Sequence, residues 1–271
     1  MVSSETLGIA GSGVIATGLA ACAARSPGHV LWARSDASAI RAKTSIAKAC
    51  EKLGGQYSPD NVRVTTDISE LAKSSFIVEA ISEDALLKGA LLGQLQEIVR
   101  EDAVITSTTS SLCVQSLAIA SGRPEAFAGL HVFNPVPKMR LVEIAFPKEA
   151  ERHTRERVRD LCSALDKQSV EVPAVSGFVV NSLLFPYLFS AVDYMERHDL
   201  RPEMVDACMQ MGAGHPMGPI ALLDYIGLDV SVAIGDALEC AVPARLRSLV
   251  AEGATGKKAK RGLYPSDYYI S

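Results

Sequence analysis

The residues Leu7 to Ala16, LGIAGSGVIA, decide the fold class of this 271-residue chain. An apolar run is followed there by a glycine-containing turn and then by small residues, which is the pattern of a strand, a turn and a helix. In the turn, Gly11 allows a tight bend, Gly13 lets the backbone approach a pyrophosphate, and Ala16 permits close packing of the helix. The pattern predicts a dinucleotide-binding domain, with a plain loop as the alternative.

Strands and helices alternate in the residues that follow. Further strands are expected at 29–33, 62–66, 76–81, 103–106, 141–146 and 169–173, with helices at 37–53 and 151–167 and another that carries Lys88. This alternation predicts an α/β fold with a Rossmann-type, doubly wound domain over residues 1–174. From residue 175 to 271 the pattern predicts an all-helical C-terminal domain, with helices at 177–197, 202–212, 220–223 and 230–252.

Arg34 and Ser35 follow the second expected strand. Arg34 lies 18 residues after Ala16. An NAD-binding domain usually carries an acidic residue at this place, where it bonds the ribose 2′-hydroxyl. Arginine cannot accept a hydrogen bond from that hydroxyl, but it can bind a 2′-phosphate, with Ser35 as a further donor. NADP is therefore favoured over NAD, and the open alternative is that Arg34 stacks on the adenine and both cofactors bind.

The segment Gly129 to Ile144, GLHVFNPVPKMRLVEI, supplies a candidate catalytic pair, His131 and Glu143. An imidazole can exchange a hydroxyl proton near neutral pH because its unperturbed pKa is ~6.5, and a carboxylate behind it can fix its tautomer. The two residues lie 12 positions apart, so they can meet only if the Asn-Pro-Val-Pro turn folds adjacent strands together. The alternative is a core histidine and a solvated glutamate.

Polar residues follow the ends of two further strands. Glu83 comes after one strand, and Ser110 and Ser111 come after the next. In an open parallel sheet, ligands collect beyond the carboxyl ends of the strands, so these side chains are expected to face a cofactor and a substrate. Two alternatives stay open: the serines could cap the following helix, and Asn181, at the start of the helical domain, could bond the backbone instead of a substrate carbonyl.

Composition excludes several classes of protein. The chain is 48% hydrophobic, has a net charge of −4 and has a pI near 5.8, so it offers no basic field for nucleic acid or an anionic membrane. Six widely spaced cysteines without a Cys-x-x-Cys pair indicate reduced thiols in a cytoplasmic protein, without a metal. The apolar run Leu7 to Ala24 resembles a signal-peptide core, but no Lys or Arg precedes it, so we do not expect export.

Several blocks of sequence together resemble the 3-hydroxyacyl-CoA dehydrogenase family, in its short form similar to 3-hydroxybutyryl-CoA dehydrogenases. The blocks are GSGVIATGLA (11–20), VEAISED (78–84) with Lys88, TTSSL (108–112), GLHVFNPVPKMRLVEI (129–144), SGFVVN (176–181), GAGHPMGPIALLDYIGLD (212–229) and GKKAKRGLY (256–264). Their order and spacing extend over nearly the whole chain, which makes the resemblance specific.

The resemblance implies roles for individual residues. It makes His131 the base, Glu143 its orienting partner, and Ser110 and Asn181 substrate contacts, and we place Asn134 with those contacts. It puts Glu83 and Lys88 along the nicotinamide side of the site. It also implies a homodimer formed through the helical domain, with an acyl thioester as substrate.

Departures from the family pattern leave the substrate open. Arg34 replaces the usual acidic residue, Thr108 and Ser182 stand where the family has asparagine and arginine, and the connection from Leu53 to Val62 is much shorter than the family's helical hairpin. Because that hairpin helps to hold the coenzyme A nucleotide, the acyl group could instead be bound to a carrier protein. The competing interpretations are a small hydroxy-acid dehydrogenase, which would use a lysine base, and a catalytically silent dinucleotide-binding protein.

Overall fold

The computed structural model describes residues 5–269 and divides the chain into two compact units, one ending at Phe178 and the other beginning at Val179. An eight-stranded sheet forms the centre of the first unit. Its strands are β1 (Leu7–Ala10), β2 (His29–Trp32), β3 (Val62–Thr65), β4 (Phe76–Glu79), β5 (Val104–Ser107), β6 (Phe127–Val132), β7 (Leu141–Ala145) and β8 (Gln168–Glu171). The spatial order is β3-β2-β1-β4-β5-β6-β7-β8, and all neighbouring strands are parallel except β6 and β7.

Five helices accompany the sheet. They are α1 (Val14–Ala23), α2 (Asp36–Leu53), α3 (Ala85–Ile98), α4 (Val114–Ala120) and α5 (Arg152–Ala164). Because helices cover the middle of the sheet, its central strands are buried on both faces, as in β1 and β4, where all residues are buried and all but Glu79 are apolar or glycine. The predicted Rossmann-type, doubly wound arrangement is therefore confirmed.

The glycine turn between β1 and α1 fits only one residue type at its first position. Gly11 has a φ of +141°, and a Cβ atom there would lie 2.2 Å from the carbonyl oxygen of Ala80. Only glycine adopts such a backbone without strain. This turn brings the start of α1 to the carboxyl edge of the sheet.

The second unit consists of helices α6 (Val180–Arg197), α7 (Pro202–Ala213), α8 (Pro219–Ile226), α9 (Leu228–Ala237) and α10 (Ala244–Ala251). The predicted all-helical character is confirmed, but the single helix expected at 230–252 is wrong. The chain leaves the helix at Glu239, which has a φ of +54°, and resumes it only after Pro243. Helix α9 ends at Ala237, and because proline disfavours a helical residue before it, no helix continues through Val242 into Pro243.

A buried carboxylate connects two helices of this unit. Asp206 of α7 accepts hydrogen bonds from the amides of Ile220 (2.8 Å) and Ala221 (2.9 Å) in the first turn of α8. Such a cap satisfies amides that have no partner within their own helix. None of the helices between residues 5 and 269 combines the length and apolar character that a membrane crossing needs.

Candidate active site

His131 and Glu143 lie directly opposite each other on β6 and β7. The turn from Phe133 to Arg140 reverses the chain, so the two strands pair antiparallel and the two side chains share one face of the sheet. His131 Nδ1 lies 2.7 Å from Glu143 Oε2, and both residues are buried, at 5% and 1% exposure. The alternative of a solvated glutamate is therefore wrong.

Aromatic rings surround the imidazole. The ring of Phe178 stacks on His131 with a centroid distance of 4.7 Å, and that of Phe133 lies at 4.5 Å. Gly129, two residues before His131, has no side chain where a Cβ would lie 2.9 Å from Val114 and 3.4 Å from the Phe178 ring. The glycine thus leaves room for the ring that orients the histidine.

A buried lysine supports the turn between the two strands, and no motif in the sequence indicates this role. Lys167, just before β8, donates from Nζ to the carbonyl oxygens of Val136 (2.5 Å) and Met139 (3.0 Å). Its partners lie 31 and 28 residues earlier in the chain, so no local pattern could reveal them. The ammonium satisfies carbonyls in the segment that brings His131 and Glu143 together.

The glycine turn has the features of a phosphate cradle. A Cβ on Gly13 would meet no atom within 4 Å, and its φ of −75° suits any residue, so the protein's own packing does not require glycine there. The first amides of α1 have no side-chain cap. Open space in front of uncapped amides at a helix N-terminus fits a bound pyrophosphate, and buried Ala16 packs α1 against the sheet.

Arg34 follows β2 at the same edge of the sheet and is exposed. Within residues 5–269, no carboxylate forms an ion pair with it, so its guanidinium is available to an anion. Ser35 is the N-cap of α2, where its hydroxyl accepts from the amide of Ser38. Ser35 therefore has a structural role as a cap, and its contact with a 2′-phosphate stays a prediction.

Glu83 organises the loop that follows β5. Its Oε1 accepts hydrogen bonds from the hydroxyl of Thr109 (2.7 Å), from the amide and hydroxyl of Ser110 (2.8 and 3.3 Å) and from the amide and hydroxyl of Ser111 (2.9 Å each). Helix α4 has Cys113 as its N-cap, without a side-chain cap bond. The alternative that the two serines cap that helix is therefore wrong, because the helix begins at Val114 and neither Ser110 nor Ser111 stands at its cap position.

The remaining predicted site residues lie in different settings. Lys88 is fully buried, and its ammonium bonds Glu79. Asn134 is exposed in the turn between β6 and β7, and Asn181 is buried in the first turn of α6. Glu79 is not among the predicted site residues, and its carboxylate is buried at the end of β4.

Two family models match the chain. The model of the 3-hydroxyacyl-CoA dehydrogenase NAD binding domain matches residues 6–175, and that of the C-terminal domain of the same enzymes matches residues 177–266. The chain is 35% identical to human mitochondrial hydroxyacyl-coenzyme A dehydrogenase, over 94% of this chain and 89% of that protein. It is 33% identical to a 3-hydroxybutyryl-CoA dehydrogenase of Mycobacterium tuberculosis, over 96% of this chain and 98% of that protein.

Solved structures show the same similarity. The crystal structure of (S)-3-hydroxybutyryl-CoA dehydrogenase PaaH1 from Ralstonia eutropha matches with a TM-score of 0.90 and 32% identity, covering 97% of this chain and 99% of that one. Together with the two family models, this agreement over the full length leads to one conclusion. The chain belongs to the 3-hydroxyacyl-CoA dehydrogenase family, in its short form.

Proposed function

We propose that the protein interconverts the 3-hydroxy and 3-keto groups of an acyl thioester, with a nicotinamide dinucleotide as cofactor. The observation that carries this proposal is the buried contact of 2.7 Å between His131 and Glu143, at the same edge of the sheet as the glycine turn. Ligands of doubly wound sheets bind at the carboxyl ends of the strands, so a cofactor in that turn and a substrate at His131 would share one cleft.

His131 exchanges the proton. Glu143 engages Nδ1, which leaves Nε2 as the nitrogen that takes the hydroxyl proton when the alcohol is oxidised and returns it when the ketone is reduced. The buried carboxylate stabilises the imidazolium that forms. A bound nicotinamide supplies or accepts the hydride.

Ser110 and Asn181 are the proposed donors to the substrate oxygen. The oxygen changes between alkoxide-like and carbonyl character, and a positioned donor that strengthens with developing charge contributes ~3 kcal/mol. The amide of Ser110 bonds Glu83 at 2.8 Å and holds the loop, whereas its hydroxyl lies 3.3 Å from Glu83 and would turn its hydrogen to the substrate oxygen when the substrate binds. Asn134 is a further proposed substrate contact.

The cofactor would be held by the residues of the glycine turn and by those after β2. Gly11 and Gly13 form the cradle for the pyrophosphate, and the exposed, unpaired guanidinium of Arg34 supports NADP over NAD. Both nicotinamides remain candidates if Arg34 stacks on the adenine instead. We also propose that the enzyme works in the cytoplasm as a homodimer, as the family resemblance implies.

The carrier of the acyl group is either coenzyme A or a carrier protein. The connection between α2 and β3 is a short turn followed by a single 3-10 turn at Pro59–Asn61, which leaves little surface for a nucleotide. Against this, Lys43, Lys48 and Lys52 are exposed on α2 and could contact phosphate groups. Relatives of the chain are named as dehydrogenases of coenzyme A esters, which favours coenzyme A as the carrier.

A reductase assay that crosses both nicotinamides with acetoacetyl esters of coenzyme A, of a short pantetheine and of an acyl carrier protein tests the proposal. We expect turnover of at least one ester, with faster oxidation of NADPH than of NADH. Absence of turnover with every combination, while cofactor still binds, would favour a catalytically silent protein. Activity on a free hydroxy acid without a thioester would favour the small-acid dehydrogenase.

A further inference from the structure

An ion pair lies buried at the carboxyl ends of β4 and β5. The ammonium of Lys88 donates to both carboxylate oxygens of Glu79, at 2.8 and 3.0 Å, and both residues have 0% exposure. Glu79 also accepts from the hydroxyl of Ser107 (2.5 Å), its partner in the strand pairing, and from the amide of Ile81 (2.8 Å). Glu79 is thus fixed by two strands and holds Lys88 in place.

Lys88 has a second carboxylate neighbour that reaches the surface. Its Nζ lies 3.5 Å from Glu83 Oε2, and the side chain of Glu83 is 33% exposed. The other oxygen of Glu83 accepts the five bonds from Thr109, Ser110 and Ser111. One carboxylate therefore connects a buried cation to the loop that carries Ser110.

The charge on Glu83 depends on this arrangement. Burial alone would raise its pKa, but the hydrogen bond from Thr109 and the charge of Lys88 outweigh that effect, and its pKa lies below the usual range. In the described part of the chain, Lys88 of α3 is the cation that faces it, while Glu79 of β4 lies behind that ammonium. The neighbouring Asp84 turns its carboxylate to the amide of Leu87, and the Thr109 to Ser111 loop adds no charge.

The stability of the folded protein does not explain why an ion pair occupies this buried place. A buried ion pair loses the solvation of both charges, and apolar side chains of similar volume are often at least as stable in the same place. What an apolar pair would not provide is a fixed cation beside Glu83. An ionised Glu83 accepts the bonds from the loop more strongly than a neutral carboxyl group would, because hydrogen bonds to a charged acceptor are roughly twice as strong as those between neutral groups.

We propose that Lys88, anchored by Glu79, is a positioning residue that keeps Glu83 ionised and oriented, and that Glu83 in turn fixes the Ser110 loop. This proposal rests on the proposed function, since it assigns Ser110 to the substrate. The placement of Lys88 along the nicotinamide side of the site, which the family resemblance implied, stays a prediction.

The double variant Glu79→Gln/Lys88→Met tests the proposal. It removes the pair without leaving an unpaired buried charge, and the glutamine oxygen can still accept from Ser107. We expect a melting temperature close to wild type but a kcat lower by roughly 100-fold, because a displaced donor loses its alignment with the substrate.

The pH profile separates positioning from a purely structural role. Without the cation, the pKa of Glu83 rises, so as the pH is lowered the kcat/KM of the double variant should begin to fall at a higher pH than that of the wild type, by up to about 10-fold per pH unit. Adding Glu83→Gln to the double variant should abolish this dependence, since glutamine does not titrate. A double variant with wild-type stability, kcat and pH profile would overturn the proposal.

Two further measurements keep the test decisive. If the double variant does not fold, Glu83→Gln alone must lower kcat, and an unchanged kcat in that variant also overturns the proposal. Amide hydrogen exchange at residues 109–111 needs no activity: it should accelerate by roughly 10-fold or more in the double variant while β4 and β5 stay protected. Unchanged exchange contradicts the positioning claim, whereas absence of wild-type turnover contradicts only the proposed function.

Discussion

The single contact between His131 Nδ1 and Glu143 decides which imidazole nitrogen is available for chemistry. A carboxylate that is 1% exposed and faces the ring holds the tautomer with its proton on Nδ1. Glu143→Gln keeps the shape of the side chain but removes the charge that stabilises the imidazolium. We expect kcat to fall by roughly 100-fold or more at an unchanged melting temperature. A kcat near wild type would show that Glu143 only packs against the ring.

The proposed preference for NADP over NAD depends on the guanidinium of Arg34. If the Arg34 guanidinium binds a 2′-phosphate, the variant Arg34→Asp replaces a charge-assisted contact by repulsion. The variant should then have a kcat/KM shifted from NADPH toward NADH. Arg41, exposed on α2 outside the proposed cradle, gives a matched control, since Arg41→Asp makes the same charge change. An equal shift in both variants would mean a general field effect, and no shift in Arg34→Asp would mean a stacking role.

Gly13, the N-cap of helix α1, and Gly18, inside the helix, are needed for different reasons. A Cβ on buried Gly18 would lie 2.7 Å from the Cβ of Val136, in the turn between β6 and β7, whereas one on Gly13 would meet nothing. Gly18→Ala should therefore lower the free energy of unfolding by about 1–3 kcal/mol, as overpacking does. Gly13→Ala should leave urea unfolding unchanged and weaken dinucleotide binding, measured by fluorescence titration. Wild-type cofactor affinity in Gly13→Ala would contradict the phosphate cradle.

The start of strand β2 makes the stability of the sheet depend on pH. Buried His29 accepts the amide of Leu7 of β1 at Nδ1 (3.1 Å), and its pKa is lowered because burial disfavours the charged ring. The unfolded chain then binds the proton more readily than the folded one. Stability should be complete above the ordinary histidine pKa and decrease as the pH falls from 7 toward the lowered value, by at most about 1.4 kcal/mol per pH unit.

The variant His29→Asn keeps an acceptor near the Leu7 amide and does not titrate. Denaturant unfolding at pH 7, 6 and 5 should show a smaller loss of stability in this variant than in wild type. The difference between the two proteins isolates His29 from the other titrating groups. Parallel pH profiles would contradict the role of His29.

Across the whole molecule, the structural features that a local pattern of residues marks could be predicted from the sequence. Strand β1 occupies the predicted residues Leu7–Ala10 because a strand covered on both faces is a continuous apolar run ended by glycine. The pairing of His131 with Glu143 was inferable because two prolines mark the reversal between two apolar runs. The interruption between α9 and α10 was missed because Pro243 stands in an otherwise helical pattern.

The buried charges could not be read from the sequence in the same way. Glu79 bonds Ser107, which is 28 residues away, and Lys167 bonds carbonyls that no side-chain pattern marks. Their partners are defined by strand order and by the path of a turn, both of which exist only after the chain has folded. The sequence thus locates the groups proposed for the chemistry, and the fold is needed to find those that hold them.

The central claim is that His131 exchanges the proton in a nicotinamide-dependent reaction of a 3-ketoacyl thioester. The most direct test measures kcat for acetoacetyl-CoA reduction and the Kd of the cofactor in wild type and in His131→Ala. The account predicts a kcat lower by roughly 100- to 10,000-fold, which is the range of general acid–base catalysis, with the cofactor Kd at its wild-type value. A His131→Ala enzyme that retains most of its kcat would contradict it.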